Sequence, residues 1–459
     1  MFKIKAIHTP TFFESAALIA GIVLVISVSI IGFDSVPHLP ILFSILLLIG
    51  YGLLKRLPFR QLEKGLVDGA GAGMSAVFLF FFIGILISSW MMSGTIPSLI
   101  YAGFHLITPT FFFAIVFVVT AIVGVSIGSS LTTVATVGVA FIGMASVLEL
   151  SLPLAAGAIV SGAFFGDKMS PLSDTTNLAS SIVGVDLFEH IRNMGWTTVP
   201  AFIISFLFFG ALSPNVTTGE FEKVAVFKET LLETGMIHWY TVIPLVALFF
   251  LTIKKVPALL TLAVSSAVAV LLSFLHHTYG FTQILEILFK GFVSTTGVKD
   301  IDVLLSRGGM DSMMPTVALV LLALSMGGLL FTLGIVQSLL AQIETLLKKV
   351  SSVIMASAVT AIGINVLIGE QYLSILLTGQ AFQTQYEKVG LANKNLARVM
   401  EDAGTVVNPL VPWSVCGIFI TDVLGVSTVE YLPFAFFCLL SPILTILFGY
   451  MGKTLTRIA

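Results

Sequence analysis

The chain has 459 residues, of which 57% are hydrophobic and 10% charged, with a mean hydropathy of +1.07 and a formal net charge of −2. Soluble domains carry roughly 25% charged residues, so this composition excludes a soluble globular protein and indicates an all-α polytopic membrane protein. No basic patch, long tail or low-complexity run calls for a nucleic-acid partner, and Cys416 and Cys438 sit in apolar segments without metal-binding spacing.

In chain order, the first apolar run is Phe13–Ile31. It follows Lys3 and Lys5 and carries no small-residue cleavage site, so it reads as a first transmembrane helix and not a removed leader. Further runs follow at Leu39–Leu54, Met74–Met92, Phe111–Val125, Leu131–Val147, an interrupted Pro153–Val183, and Asn193–Leu212. The polar stretch Ser213–Thr234, with Glu220, Glu222, Lys223, Lys228, Glu229 and Glu233, reads as an exposed connector, amphipathic where helical. A second set comprises Ile237–Thr252, Pro257–Phe274, Met314–Phe331, Val353–Leu367, Tyr372–Phe382, an interrupted Leu391–Ile420, and Leu432–Met451. Leu99–Ile107 and Gln337–Lys348 are expected as interfacial helices, and His276-His277 as interfacial residues at a span end.

The two sets read as one unit written twice: residues 1–212, a connector 213–236, and residues 237–459. A shift of 241 brings Gly128 onto Gly369, Gly138 onto Gly379, Phe141 onto Phe382, Asp167 onto Asn408, Pro171 onto Pro412 and Ser173 onto Ser414. A shift of 240 brings Met74 onto Met314 and Gly94 onto Gly334. Basic residues fix the relation between the halves, because Lys and Arg mark cytoplasmic loops. Lys55, Arg56, Arg60 and Lys64 follow the second span of the first half, whereas Lys254-Lys255 follows the first span of the second half. Positive charge at opposite ends of equivalent helices predicts inverted topology, with both termini cytoplasmic. Phe111–Val125 and Leu131–Val147 form either two crossings or one re-entrant hairpin, and parity is the same for both.

Inverted repeats with interrupted helices at matching positions are the mark of secondary transporters, whose sites lie near the midplane where unwound backbone and half-helix ends meet. The interruptions here are Gly166–Asp174 and Val407–Trp413, each built on a proline, Pro171 and Pro412, that removes a backbone donor and blocks the helix ahead of it. Asp167 and Asp174 are oxygen ligands able to hold Na⁺ when ionised and a proton when neutral. Ser170, Ser173, Thr175, Thr176 and Asn177 can complete an oxygen shell without adding charge. Lys168 can neutralise a carboxylate or hold a substrate anion. The second half supplies Asn408 at the Asp167 position and Glu370 at the Ser129 position, so Ser129-Ser130-Leu131-Thr132 and Gly369-Glu370-Gln371 are expected as paired polar hairpin tips. Asp402 and Thr405 are expected to reach the cavity, and Glu401 to be a solvated or interfacial helix-end residue. Left unpaired at the midplane, Asp167, Lys168, Asp174, Glu370 and Asp402 would together cost about 12–17 kcal/mol, so they must pair or share a hydrated cavity.

Other motifs are weaker. Gly124-Val125-Ser126-Ile127-Gly128 has the GxSxG pattern but lacks the strand–turn–helix setting of a nucleophile elbow, and close helix packing explains it better. Gly69-Ala70-Gly71-Ala72-Gly73 lacks the strand of a dinucleotide site and is expected to allow a bend or tight packing.

The stretch Gly166-Asp167-Lys168-Met169-Ser170-Pro171-Leu172-Ser173-Asp174-Thr175-Thr176-Asn177 resembles the signature of the NhaC-type Na⁺/H⁺ antiporters, and Glu401-Asp402-Ala403-Gly404-Thr405 ahead of Asn408-Pro409 is also similar. The resemblance implies a bacterial inner-membrane antiporter with inverted repeats, no ATP-binding module and no cofactor beyond the transported Na⁺. A homodimer is one arrangement it allows. The family also holds a sodium-lactate/malate-proton exchanger. Two functions are therefore expected in order: Na⁺/H⁺ exchange by alternating access with Na⁺ at Asp167 and Asp174, then organic-anion exchange coupled to the same ions. A channel or a membrane-embedded enzyme fits neither the broken-helix pair nor the absence of a nucleophile or metal constellation.

Overall fold

The computed structural model describes residues 6–33, 35–106, 109–214, 227–298, 302, 305–343 and 349–458. Among these residues the only extended pairing is a single bridge between Leu391 and Arg457. The helices of the first half are α1 (Phe12–Ser27), α2 (His38–Leu54), α3 (Phe59–Ala72), α4 (Met74–Met92), α5 (Thr95–Leu106), α6 (Phe112–Ile127), α7 (Ser130–Val147), α8 (Leu152–Met169), α9 (Asp174–Ile182) and α10 (Leu187–Leu212). Those of the second half are α11 (Ile243–Ile253), α12 (Ala258–Ser273), α13 (Phe281–Lys290), α14 (Met314–Thr332), α15 (Ile335–Ile343), α16 (Val350–Ile368), α17 (Gln371–Lys388), α18 (Asn393–Val399), α19 (Val415–Leu424) and α20 (Phe436–Met451).

Among the described residues, six helices are long and apolar enough to cross a bilayer, or up to eight if each of two bent pairs is one span. Their burial differs sharply. Only 17% of the Phe12–Ile30 window is buried, against 83% of Ser130–Val147, so α1 is peripheral and α7 central. The exposed Phe13, Leu54, Phe208, Leu271 and Trp239 lie on peripheral elements, where lipid is the favourable solvent for such side chains.

The core forms by exchange between the halves. α4 packs on α12, and α14 packs on α2 and α3. Trp90 of α4 donates its indole N–H to Ser265 Oγ of α12 at 3.1 Å, which satisfies a fully buried polar atom. The glycine run of α3 does what its sequence allows. A Cβ at Gly69 would sit 2.3 Å from the Leu324 carbonyl, and one at Gly65 would meet the Thr332 hydroxyl at 2.2 Å. Small residues let these backbones touch directly. Gly73 then joins α3 to α4 as the bend. The GxSxG segment is likewise a packing surface: Gly124 of α6 lies against Gly166 of α8, and the Ser126 hydroxyl is spent on the Ile122 carbonyl.

Several sequence boundaries shift. α17 runs to Lys388, six residues past Phe382, because its polar end is buried against α16, where Tyr386 Oη and Ser357 Oγ lie 2.9 Å apart. α5 is no interfacial helix: Ile96, Ser98, Ile100 and Phe104 are buried, and the Ser98 and Thr241 hydroxyls lie 2.6 Å apart. α3 and α13 are helices that no apolar run of spanning length announced. Residues 215–226 of the connector and 344–348 of the second expected interfacial segment lie outside the described residues; residues 227–233 are helical. His276 is half-buried, within reach of Tyr240 Oη at 3.4 Å.

Candidate ion site at two broken helices

Two turns and two breaks meet at the centre. Gly128 ends α6 at φ +71° and Gly369 ends α16 at φ +74°, both left-handed, a conformation only glycine adopts without strain. Each is followed by a polar helix cap. The Ser129 hydroxyl accepts from the Thr132 N–H at 3.3 Å and from the Thr132 hydroxyl at 3.0 Å, while Glu370 Oε2 accepts from the Leu373 N–H at 2.8 Å. Opposite each turn, a helix is broken at proline. Ser173 caps α9 and Ser414 caps α19, each accepting from the backbone N–H three residues on. The breaks are stitched to the turns through equivalent carbonyls: Val125 O accepts from Ser170 Oγ at 2.7 Å, and Val366 O accepts from Trp413 Nε1 at 2.6 Å.

The chemistry at the two breaks differs. Asp167, in the last turn of α8, is buried, and its Oδ2 accepts from the Ser130 N–H at 3.2 Å and the Ser130 hydroxyl at 2.7 Å. Asp174 opens α9, is exposed, and lies near enough for its charge to act on Asp167. Its carboxylate has no hydrogen-bond partner among the described residues. The Ser173 and Thr175 hydroxyls lie 3.0 Å apart, both buried. The Asn177 amide closes the break itself, donating to Pro171 O at 3.0 Å and Ser173 O at 2.7 Å. At the second break Asn408 is buried, accepts from the Cys416 N–H at 3.0 Å and donates to Asn365 Oδ1 at 2.8 Å; Asn365 in turn donates to Gly404 O at 2.5 Å. Pro412 lies between Leu410 and α19. Every amide atom of Asn408 thus has a protein partner, and this break is closed.

Lys168 and Asp402 form a fully buried ion pair between the halves. The Thr197 hydroxyl of α10 donates to the second Asp402 oxygen at 2.8 Å, and the Lys168 ammonium sits over the Phe437 ring. Asp402, expected among the ion ligands, is therefore engaged as a counter-ion, and Lys168 is directed to it. A buried pair of this kind tolerates loss of one partner badly, at roughly 3–5 kcal/mol.

Glu401 corrects the sequence reading outright. It is fully buried, not solvated, because Met400–Thr405 is a π-helical segment packed among α16, α17, α20 and α8. Neither carboxylate oxygen has a hydrogen-bond partner, and the buried Thr405 hydroxyl lies alongside without hydrogen-bond geometry. Thr197 and Asn365 were not anticipated: the shift of 241 brings Gly124 onto Asn365, which gives no polar signal.

A family model described as the Na⁺/H⁺ antiporter family matches residues 162–453. The chain is 41% identical over 417 residues to the Na(+)/H(+) antiporter NhaC of Alkalihalophilus pseudofirmus, covering 91% of this chain and 90% of that protein. It is 36% identical to the arginine/ornithine antiporter ArcD of Halobacterium salinarum, covering 96% and 92%. It is 32% identical to the malate-2H(+)/Na(+)-lactate antiporter of Bacillus subtilis, covering 98% and 96%.

Proposed function

The chain belongs to the Na⁺/H⁺ antiporter family and is a multi-pass membrane antiporter exchanging Na⁺ for H⁺, and we propose that the exchanged ion binds at Asp167 and Asp174 in the first break. The observation that carries this reading is the pairing of one buried carboxylate, held from one side by Ser130, with one exposed carboxylate across a four-residue break. Asp167 offers its remaining oxygen, and Ser173 and Thr175 offer hydroxyls. Broken-helix backbone completes such shells in transporters. On this reading the two halves are oppositely oriented copies, residues 1–212 and 237–459, that rock about the site in a bacterial cytoplasmic membrane with both termini inside.

Asp167→Asn in proteoliposomes is expected to reduce Na⁺-driven proton movement at least about 100-fold, or ~2.7 kcal/mol, with the protein still folded. Undiminished exchange removes Asp167 from the mechanism. Organic-anion exchange is the second reading, favoured by the 32% identical malate/lactate relative. The engagement of Lys168 by Asp402 weighs against it, because that cation is already neutralised. Vesicles challenged with Na⁺, malate or lactate separate the two: proton efflux with Na⁺ alone supports the first, and a requirement for the anion supports the second.

A further inference from the structure

We propose that Glu401 is a dedicated proton carrier, distinct from the Na⁺ ligands Asp167 and Asp174. The inference rests on the exchange reading above and adds a second acidic group to it. Three features of Glu401 converge. It is fully buried, both of its oxygens lack hydrogen-bond partners, and it lies on a π-helical segment inside a broken helix.

An ionised carboxylate in such a place is expensive, because burial without a donor removes its hydration and returns nothing. The charged groups acting on it sharpen this. The charges that act on it are those of Asp167 and Lys168 on α8, which packs against its segment, and of Asp402 beside it in the chain. Lys168 is the single cation of that group and is already paired with Asp402. The other titratable groups on packed elements are Asp174 of α9, Tyr372, Tyr386, Glu387 and Lys388 of α17, Lys394 and Arg398 of α18, and Cys438 and Tyr450 of α20; Glu387 and Lys388 are exposed, and Lys394 pairs with Glu189. Arg398 points elsewhere, donating to the Thr454 carbonyl at 3.1 Å. On this proposal Glu401 carries its proton in this conformation, because neither of its oxygens has a donor to replace water.

Electrostatics then links the proton to the cation. Na⁺ arriving at Asp167 cancels a negative neighbour of Glu401 and removes the repulsion that opposes its ionisation. The O–H bond breaks, the electron pair stays on the carboxylate, and the proton passes to a water molecule as hydronium. Loss of Na⁺ reverses each step. The π-helical turn supplies the means of access. Its i→i+5 bonding carries one extra residue, which can migrate along the helix and swing Glu401 between a dry and a wet face.

The test uses the full chain in proteoliposomes. Glu401→Gln is expected to lower Na⁺-driven proton flux at least tenfold while ²²Na⁺/Na⁺ counterflow stays within twofold of wild type and loses its pH dependence. Wild-type proton flux in that variant overturns the proposal, and so does equal loss of both fluxes. Should Glu401→Gln not fold, the infrared difference spectrum of the wild-type protein with minus without Na⁺ is compared with that of Glu401→Asp. Loss of a protonated-carboxyl band on adding Na⁺, at a frequency that shifts in Glu401→Asp, supports the proposal, and an unshifted band or no band overturns it. Absence of Na⁺-dependent proton movement in wild type sinks the exchange reading itself, a result distinct from any of these.

Discussion

The two breaks share a scaffold and differ in what fills it. Both oppose a left-handed glycine turn, both carry a serine cap, and both send a side-chain donor to an equivalent carbonyl. At the first break the space holds Asp167 and Asp174, one buried and one open. At the second it holds Asn408 and Asn365, whose amides satisfy each other and the backbone. A shared frame thus does not imply a shared site. The scaffold is set by glycine, proline and hydroxyl residues; the fillings differ because Asp167 stands where the second break has Asn408, and Asp174 where it has Val415.

The largest test of that contrast, beyond the Asp167 and Glu401 variants, is the ion pair that joins the breaks. Lys168→Met leaves Asp402 buried with only Thr197 and is expected to destabilise by about 3–5 kcal/mol. Thermal inactivation in detergent measures it, and the Lys168→Met/Asp402→Leu protein should recover most of the loss. A neutral single variant would show that the breaks are not held together by this charge. Next comes the glycine pair. Alanine at either position adopts a left-handed conformation at roughly 1–2 kcal/mol. At Gly128 the added Cβ would also stand 2.7 Å from Leu172 Cβ, whereas at Gly369 the nearest atom is the Trp413 carbonyl oxygen at 3.0 Å. Gly128→Ala should therefore lower the melting temperature more than Gly369→Ala, and the reverse order would mean that the second turn is the tighter one.

The smallest effect concerns how each half enters its central helix. In the first half Gly73 alone joins α3 to α4; in the second a polar loop intervenes between α13 and α14. Asp302 organises that loop, accepting from the Thr296 N–H and hydroxyl at 2.7 Å, the Ser294 hydroxyl at 2.8 Å and the Gly297 N–H at 3.0 Å. The Thr296 backbone bond, first among these, holds its carboxyl below the usual carboxylate range. A depressed value in the folded state means that its contribution is present above the unfolded value, about 3.9, and is lost as pH falls through the folded one. Amide protection at Thr296 and Gly297, corrected for intrinsic exchange, should hold from pH 8 to 5 and fall below about pH 4. Asp302→Asn should abolish that dependence.

How much of this the sequence carried follows from the same contrast. Charges and prolines inside apolar runs are costly, so Asp167, Pro171, Asp174 and Pro412 announced the breaks, and Gly128, Ser129 and Glu370 announced the turns. Tertiary partners left no trace in local pattern. Glu401 and Asp402 are neighbours in the chain, yet one lies without a hydrogen bond while the other has both oxygens engaged. Their difference comes from what each meets when consecutive helix residues point about 100° apart, which hydropathy does not register. The polar end of α17 was missed for a related reason: Gln385 and Tyr386 are buried by α16 and its surroundings, not by their own helix.

The Lys168–Asp402 pair has an electrical consequence. Because its charges cancel within one contact, the rocking proposed above would carry it through the membrane field as a small dipole, adding almost nothing to the work done by the transmembrane voltage. If Asp167, Asp174 and Glu401 carry the ions as proposed, that work is set by how many Na⁺ ions and protons ride on them. Each uncompensated charge moved through the full field changes the balance by about 2.3 kcal/mol per 100 mV. Currents recorded from the reconstituted protein would therefore count the charge on the acids alone.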